Sequence, residues 1–480
     1  MCPEPLRRVT DRDVQYFERV LGTAYVRHDA VTLAKYSRDE TEDLAFTPDI
    51  VLLPGSAEEV AAVLRYCHTH RIPVTPRAAG TGLSGGALPV YGGVVLSVER
   101  MHRILEIDTT NQIAVVEPGV ITADLQRAVE AHGLFYPPDP ASRDMCMIGG
   151  NVAENAGGPR AVKYGVTKDY VLGLEVVLPT GERIRTGGKL YKNVAGYNLT
   201  QLFVGSEGTL GVFTEIILRL IPRPQVEVTL LVPFMHWEDA TATITDLFRA
   251  RILPAALEFV DAEALAIART HAPADVPLPE GEALLLIHLD GPDTRTVERE
   301  MVHVGDICER HRATDVQVAD TPARRTALWQ VRRKLGEWVK HTSVYKEEDA
   351  VVPRDRLADL IHTVRTLADQ YGFRAACYGH AGDGNVHINI LKMGLDDTTW
   401  HHRLPEAIRA LFAAVVRMGG TITGEHGVGW VQREYLPIAL DETTLALHAG
   451  IKRLFDPHGI MNPGKVLPER YMPVAFQGER

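Results

Sequence analysis

Three histidines and a glutamate stand in two short, glycine-flanked stretches late in the chain. Tyr378-Gly379-His380-Ala381-Gly382-Asp383-Gly384-Asn385-Val386-His387-Ile388-Asn389 carries two imidazoles around a glycine-rich turn. Thr423-Gly424-Glu425-His426-Gly427-Val428-Gly429 sets a carboxylate beside a third. Two imidazoles and one carboxylate make a normal open site for a divalent metal. Asn389 follows His387 by two residues, so the pair shares one face if the segment is a strand. Cations come from Leu328-Trp329-Gln330-Val331-Arg332-Arg333-Lys334 and from Val344-Tyr345-Lys346. A guanidinium can hold a carboxylate through two parallel N–H bonds. Arg324, Arg325, Arg333 and Lys334 read as a solvated helix face.

Glycine supplies the second signal. In Pro76-Arg77-Ala78-Ala79-Gly80-Thr81-Gly82-Leu83-Ser84-Gly85-Gly86 the glycines expose backbone N–H groups and permit positive φ, so successive N–H groups can converge on an anion. Ile148-Gly149-Gly150-Asn151-Val152-Ala153-Glu154-Asn155-Ala156-Gly157-Gly158 and Gly205-Ser206-Glu207-Gly208-Thr209-Leu210-Gly211-Val212 are similarly rich in small residues. Glycine at this density costs folding entropy. Three such loops in one half of a chain point to one large cofactor wrapped by all of them. Two literal motif matches fail on context. Gly80 to Gly85 satisfies G-x-G-x-x-G, but Pro89, Gly92 and Gly93 follow where a dinucleotide fold needs a helix. Gly459 to Lys465 satisfies G-x-x-x-x-G-K, but Val466 stands where a P-loop needs Ser or Thr, and Pro463 lies inside the loop.

The elements that position these groups follow an order. Residues 1–47 read as short helices, one over Asp11 to Leu21. Ile50 to Pro54 is a buried strand. Ser56 and Glu59 form a capping box opening a helix to His70, and Ile72 to Thr75 is the next strand. Strands are expected at 94–98, 104–108, 113–117, 174–178 and 210–220, and a helix over 122–132 capped by Thr122. Residues 141–170 lack periodicity. Ile221-Pro222-Arg223-Pro224 is the best boundary. Beyond it, helices 238–250, 261–270 and 293–312 alternate with strands 255–260, 283–289 and 315–319, an α+β domain with an antiparallel sheet. Residues 400–480 read as mostly helical. The expected division is an N-terminal helical segment (1–47), a cofactor-binding domain (48–222), a substrate or cap domain (223–400) and a C-terminal segment returning to the cofactor domain (401–480).

Composition bounds the class. The 480 residues are 45% hydrophobic and 24% charged, which excludes general disorder, and the net charge of −11 argues against nucleic acid as partner. No apolar run is long enough to span a bilayer, and the charged first 20 residues give no expectation of a signal peptide. Cys2, Cys67, Cys146, Cys308 and Cys377 are scattered and form no Cys-x-x-Cys, which fits a reducing cytoplasm and offers no recognisable iron–sulfur motif.

The ordered set Pro76–Gly86, Pro137-Pro138-Asp139-Pro140, Ile148–Gly158, Lys163-Tyr164-Gly165, Gly205–Val212 and Asn462-Pro463-Gly464-Lys465 resembles the FAD-binding domain of the vanillyl-alcohol-oxidase (PCMH) type. Leu83-Ser84-Gly85-Gly86-Ala87-Leu88-Pro89 is very similar to the FAD subunits of bacterial glycolate oxidase, in a group that includes D-lactate and D-2-hydroxyglutarate dehydrogenases. The resemblance covers residues 10–468 and implies the fold: an α+β chain with that FAD domain, an antiparallel-sheet cap and a mostly helical C-terminal segment. It implies that Pro76, Arg77, Ala78, Ala79, Gly80, Thr81, Gly82, Leu83, Gly85 and Gly86 hold the FAD diphosphate. Pro138, Asp139, Ser142, Gly149, Gly150, Asn151, Asn155, Gly157, Tyr164, Glu207, Gly208, Gly211 and Val212 line the rest of the cofactor, with Asn462 near the isoalloxazine. No His occurs between His70 and His102, so FAD is expected to be non-covalent. His380, His387 and Glu425 match the metal ligands, with zinc first and manganese or iron as alternatives. His426 matches the general base, and Arg332, Lys346 and Asn389 the substrate contacts. The implied reaction is oxidation of a glycolate- or D-lactate-type 2-hydroxy acid to the 2-oxo acid, with electrons passed to an iron–sulfur subunit, a quinone or an electron-transfer flavoprotein. Gly336, where some dicarboxylate-using relatives carry a hydroxyl, makes a 2-hydroxyglutarate-type substrate the alternative, and a metallohydrolase a remoter one. The group allows a homodimer and peripheral association with the inner face of the membrane.

Overall fold

The computed structural model describes residues 5–472 apart from 274, 275 and 277. Cys2 lies outside them, and the other four cysteines are buried and free.

The strand expected before Pro54 forms as Ile50–Leu52, buried along its whole length. Ser56 caps helix Ala57–His70 by accepting from Glu59 N, and the Glu59 carboxylate takes the N–H of Gly55 rather than that of Ser56. The next strand is Val74–Arg77, two residues later than expected. Arg71 is left-handed at the helix end, and Pro73 offers no N–H to a ladder. These strands and Val94–Ser97 run parallel, in the order Val26–Arg27, Ile50–Leu52, Val94–Ser97, Val74–Arg77, with the first strand antiparallel at the edge. No helix follows the loop after Arg77, in keeping with the rejected dinucleotide motif.

A second, antiparallel sheet has the order Ile104–Asp108, Ile113–Val116, Val212–Arg219, Val171–Val177, Arg183–Gly187. Two local expectations need correction here. Thr122 does not cap its helix, Thr122–Glu130; Ile121 holds the cap position, and the Thr122 hydroxyl accepts from Asn151 Nδ2 at 2.6 Å. Residues 141–170, read as aperiodic, contain helices Ile148–Glu154 and Ala161–Tyr164. Close packing replaces the missing periodicity: a Cβ on Gly149 would lie 2.6 Å from the Pro118 Cβ.

Beyond Pro222 lies a seven-stranded antiparallel sheet, ordered Gln317–Ala319, Val226–Phe234, Ala283–Gly291, Ala256–Asp261, Arg374–Gly379, Asn385–Leu391, Tyr345–Val351. The expected antiparallel sheet is present. Its longest pairing, Val226↔Gly291 through Phe234↔Ala283, uses a strand not anticipated after the proline pair. Helices Trp237–Arg249, Thr294–Arg310, Leu357–Tyr371 and Leu404–Arg417 pack on one face; Ala262–His271 and Pro322–Thr342 cover the other. Lys163 Nζ and the Tyr164 hydroxyl both reach the Asp290 carboxylate, at 2.5 and 2.7 Å, tying the small-residue loops to this sheet.

After helix Glu442–Phe455 the chain returns to the first sheet, where Met461 bridges Val74 and Asn462 N donates to Val74 O. Lys452 fixes that return. Its buried ammonium donates to Asp456 Oδ2, Thr209 O and Met461 O, each at 2.7 Å, while the Asp456 carboxylate takes the N–H groups of Ile460 and Met461. Removing one member of a buried ion pair strands the other charge, at a cost of about 3–5 kcal/mol. Lys452→Met should therefore lower stability by about that amount, read from the denaturant midpoint, and displace the Asn462 turn.

Candidate active site

A cleft opens among the loops of the four- and five-stranded sheets, with Glu425 and His426 reaching into it from the C-terminal segment. All three glycine-rich loops line it. Pro76, Arg77, Ala78, Ala79, Gly80, Thr81, Gly82, Leu83 and Gly86 form one wall; Ser142, Gly149, Gly150, Asn151 and Gly157 a second; Glu207, Gly208, Gly211, Val212 and Asn462 close it. Among the described residues, the backbone N–H groups of Gly80, Thr81, Gly82 and Leu83 have no protein acceptor. Unsatisfied N–H groups are costly unless a ligand or water takes them, so this wall fits an anionic group such as a diphosphate. Glu207 and Asn462 both have positive φ, 49° and 40°. Such strain persists only where the surroundings fix it: Asn462 Nδ2 donates to Gly86 O and Glu207 O, and the Glu207 carboxylate accepts from Val428 N and Gly429 N.

Five of the expected cofactor residues lie off the cleft. Gly85 packs under Trp430 and Leu88. The Pro138 carbonyl accepts from Gln126 Nε2. Asn155 ends the Ile148–Glu154 helix and accepts from Lys168 N. Tyr164 turns to Asp290. Asp139 is buried among Arg143, Arg160 and Arg333. Arg333 is thus no solvated residue, and neither is Arg325, 3.7 Å from Glu227; Arg324 and Lys334 are exposed as expected.

At one end, Glu425 and His426 line the cleft and also belong to a cluster of imidazoles and carboxylates. His380 Nε2 is 3.0 Å and His387 Nε2 3.5 Å from Glu425 Oε1, and donor atoms of the three lie within 4.8 Å of one another. The His387 and His426 rings stack at 4.9 Å. The strand pair makes this possible: the register Asp349↔His387 and Glu347↔Asn389 puts all four on one face. Asn389 is fully buried with neither amide atom partnered, and Arg332 Nε is likewise buried and unpartnered. Both are groups for a polar ligand to satisfy.

Lys346 is not brought to this face. It pairs with Ile390, and its ammonium lies 5.6 Å from the Trp400 ring, on the side of the strand that also carries Glu348. Side chains alternate along a strand, so the neighbour of an inward residue points away.

Three carboxylates missed in the sequence organise the cluster. Glu258 is fully buried; Oε1 is 2.8 Å from His380 Nδ1 and Oε2 is 2.6 Å from Arg332 Nη2. It orients the imidazole and the guanidinium together, as an outer carboxylate does behind a metal-binding histidine. Its signal was one acid inside the apolar run Ala255-Ala256-Leu257-Glu258-Phe259-Val260. Asp349 Oδ2 takes the N–H groups of Gly424, Glu425 and His426 at 2.7, 2.8 and 2.9 Å. Glu347 Oε1 faces His387 Nδ1 at 3.8 Å. Burial opposes charge throughout, yet the neighbours prevail. The imidazoles bring the Glu425 carboxyl down to about 2, Asp349 and Glu347 raise His426, and Glu258 and Glu425 raise His380 well above the usual imidazole range. Four carboxylates face one guanidinium and three imidazoles, a donor set and charge balance that fit a divalent cation held by His380, His387 and Glu425.

The family "FAD binding domain" matches residues 48–187, and "FAD linked oxidases, C-terminal domain" matches residues 223–466. The chain is 44% identical over 432 residues to the glycolate oxidase subunit GlcD of Bacillus subtilis (strain 168), covering 90% of this chain and 91% of that one. It is 38% identical over 425 residues to a D-lactate dehydrogenase of Anaerostipes hadrus, covering 87% and 89%. The solved structure of substrate-bound p-cresol methylhydroxylase superposes with a TM-score of 0.79 at 19% identity over 97% of this chain and 99% of that one, a likeness of fold. The expected flavoprotein fold is borne out.

Glu348 gives a pH test of the strand's outward face. Burial pushes its carboxyl from 4.5 up to about 7, even with Gln432 donating to it. A raised carboxyl pKa means that the folded state holds the proton more tightly, so the contribution of Glu348 to stability falls as pH rises from 4.5 to about 7. Glu348→Gln should remove that loss. Its advantage over the wild type in urea unfolding should be small at pH 5 and reach on the order of 3 kcal/mol by pH 8.

Proposed function

The chain belongs to the FAD-linked oxidase family, and from that premise we propose that it oxidises a D-2-hydroxy acid of the glycolate or D-lactate type to the 2-oxo acid. FAD-linked oxidation of hydroxy acids is the activity of the family group; the substrate, the metal and the residue roles are our reading. One observation carries it: Glu425 and His426 belong at once to the cofactor cleft and to the imidazole–carboxylate cluster.

In this reading the loop Pro76–Gly86 holds the FAD diphosphate through backbone N–H groups, and binding is non-covalent, since Ala78 and Ala79 offer no nucleophile. When bound, FAD supplies the hydride acceptor. His380, His387 and Glu425 hold a divalent metal, zinc, manganese or iron, which supplies Lewis acidity toward the substrate hydroxyl. Arg332 Nε binds the substrate carboxylate, with Glu258 fixing the guanidinium from behind. Asn389, two residues from His387, orients the acid through its free amide. His426 accepts the hydroxyl proton as the C2 hydride leaves, and its imidazolium is stabilised by Asp349 and Glu347. Electrons then pass to a separate acceptor, an iron–sulfur subunit, a quinone or an electron-transfer flavoprotein. The sequence has no cysteine motif for a cluster of its own.

The test is an anaerobic absorbance titration. The oxidised flavin band should bleach with glycolate or D-lactate and persist with L-lactate; a band that no hydroxy acid bleaches overturns the reading. His426→Ala should keep the yellow band but lose about a hundred- to ten-thousandfold in the rate of bleaching. Chelation should abolish turnover while leaving FAD bound, and zinc or manganese should restore it.

A further inference from the structure

We propose that Glu347 sets the substrate class of this site, admitting 2-hydroxy acids with an uncharged substituent at C2 and rejecting those that carry a second carboxylate. The inference rests on the reaction proposed above and narrows it. The sequence offers Lys346 as a cation for the pocket, but the strand's alternation turns Lys346 toward Trp400 and presents Glu347 in its place. Glu347 stands across from Asn389, its oxygen 3.8 Å from His387 Nδ1 and within 4.8 Å of donor nitrogens of both His387 and His426. Its side chain is 12% exposed, so water screens its charge little.

Beyond the imidazoles, the nearby cations already have carboxylate partners. Arg332 is neutralised by Glu258 at 2.6 Å. Glu42, from the segment crossing over the strand, brings a second carboxyl to Tyr345 N at 3.3 Å, and the cation in its reach, Lys340, is taken by Glu40 at 2.6 Å. Tyr345, two residues before Glu347 on the same strand, and Tyr378 beside the His387 ring are uncharged neighbours, and a Cβ on Gly336 would lie 3.4 Å from the Tyr378 hydroxyl. A hydrogen or methyl on C2 meets neutral groups and a carboxylate that need not be desolvated against it. A carboxymethyl group puts two like charges together in a poorly screened pocket.

The test compares D-lactate with D-malate, which differ by one carboxylate, in the FAD-loaded protein by anaerobic flavin bleaching. The wild type should show a kcat/KM for D-malate at least a hundredfold below that for D-lactate, and Glu347→Gln should raise the malate-to-lactate ratio at least tenfold. A ratio unmoved by the substitution overturns the proposal. So does a wild type that uses D-malate as well as D-lactate, a result that needs no variant and holds even if Glu347→Gln fails to fold. If neither acid nor glycolate bleaches the wild-type flavin, the proposed reaction fails and this inference with it. If D-lactate bleaches and the ratio does not move, the inference alone fails.

Discussion

One loop, Gly424 to Gly429, is held by two buried carboxylates that approach from opposite sides. Asp349, on the long sheet, takes three successive N–H groups, and Glu207, on the cofactor side, takes the next two available. Burial works against both charges; the surrounding imidazoles and N–H bonds hold the Asp349 carboxyl well below its usual range, whereas at Glu207 burial outweighs the two N–H bonds and pushes the carboxyl up, and in both cases the backbone they hold has little freedom left. The positions of Glu425 and His426 follow from these two anchors. So does the meeting of cleft and cluster, because the loop is the piece of chain common to both.

Around it the protein concentrates negative charge where burial disfavours it. Glu258, Glu347, Asp349 and Glu425 all touch imidazoles or a guanidinium, and each contact serves geometry as well as charge. Glu258 lies behind both His380 and Arg332, so one carboxylate fixes an imidazole and a guanidinium together. Glu154 belongs to the cleft in the same way: burial first, then Glu207 and Asp39, push its carboxyl well above the usual range. A neutral acid there avoids crowding charge against the buried Glu207 and Asp39 carboxyls.

The glycine loops and the His-x₆-His and Glu-His stretches were legible because chemistry depends there on residue type at short spacing. The loops expected to share a ligand do line one cleft, and His380, His387, Glu425 and His426 do meet. What was not legible depends on direction. Lys346 and Glu347 are adjacent in sequence and opposite in space, and only the register with Asn385–Leu391 tells which faces the histidines. Gly85, Pro138, Asp139, Asn155 and Tyr164 stand near cleft residues in the sequence, but their contacts lie elsewhere. Arg333 read as surface because Asp139, its partner, is 194 residues away in the chain. Glu258 and Asp349 are isolated acids whose partners come from other elements, and local pattern carries no trace of such pairings.

The doubly anchored loop also bears on how small acids reach the centre. A hinge that swung the long sheet away from the cleft would have to pull the loop from Asp349 or from Glu207, exposing buried carboxylates while breaking bonds to three amides on one side or two on the other. The Lys163 and Tyr164 contacts to Asp290 would part in the same motion. A frame pinned from both sides in this way keeps the imidazole–carboxylate cluster and the cleft in one fixed geometry.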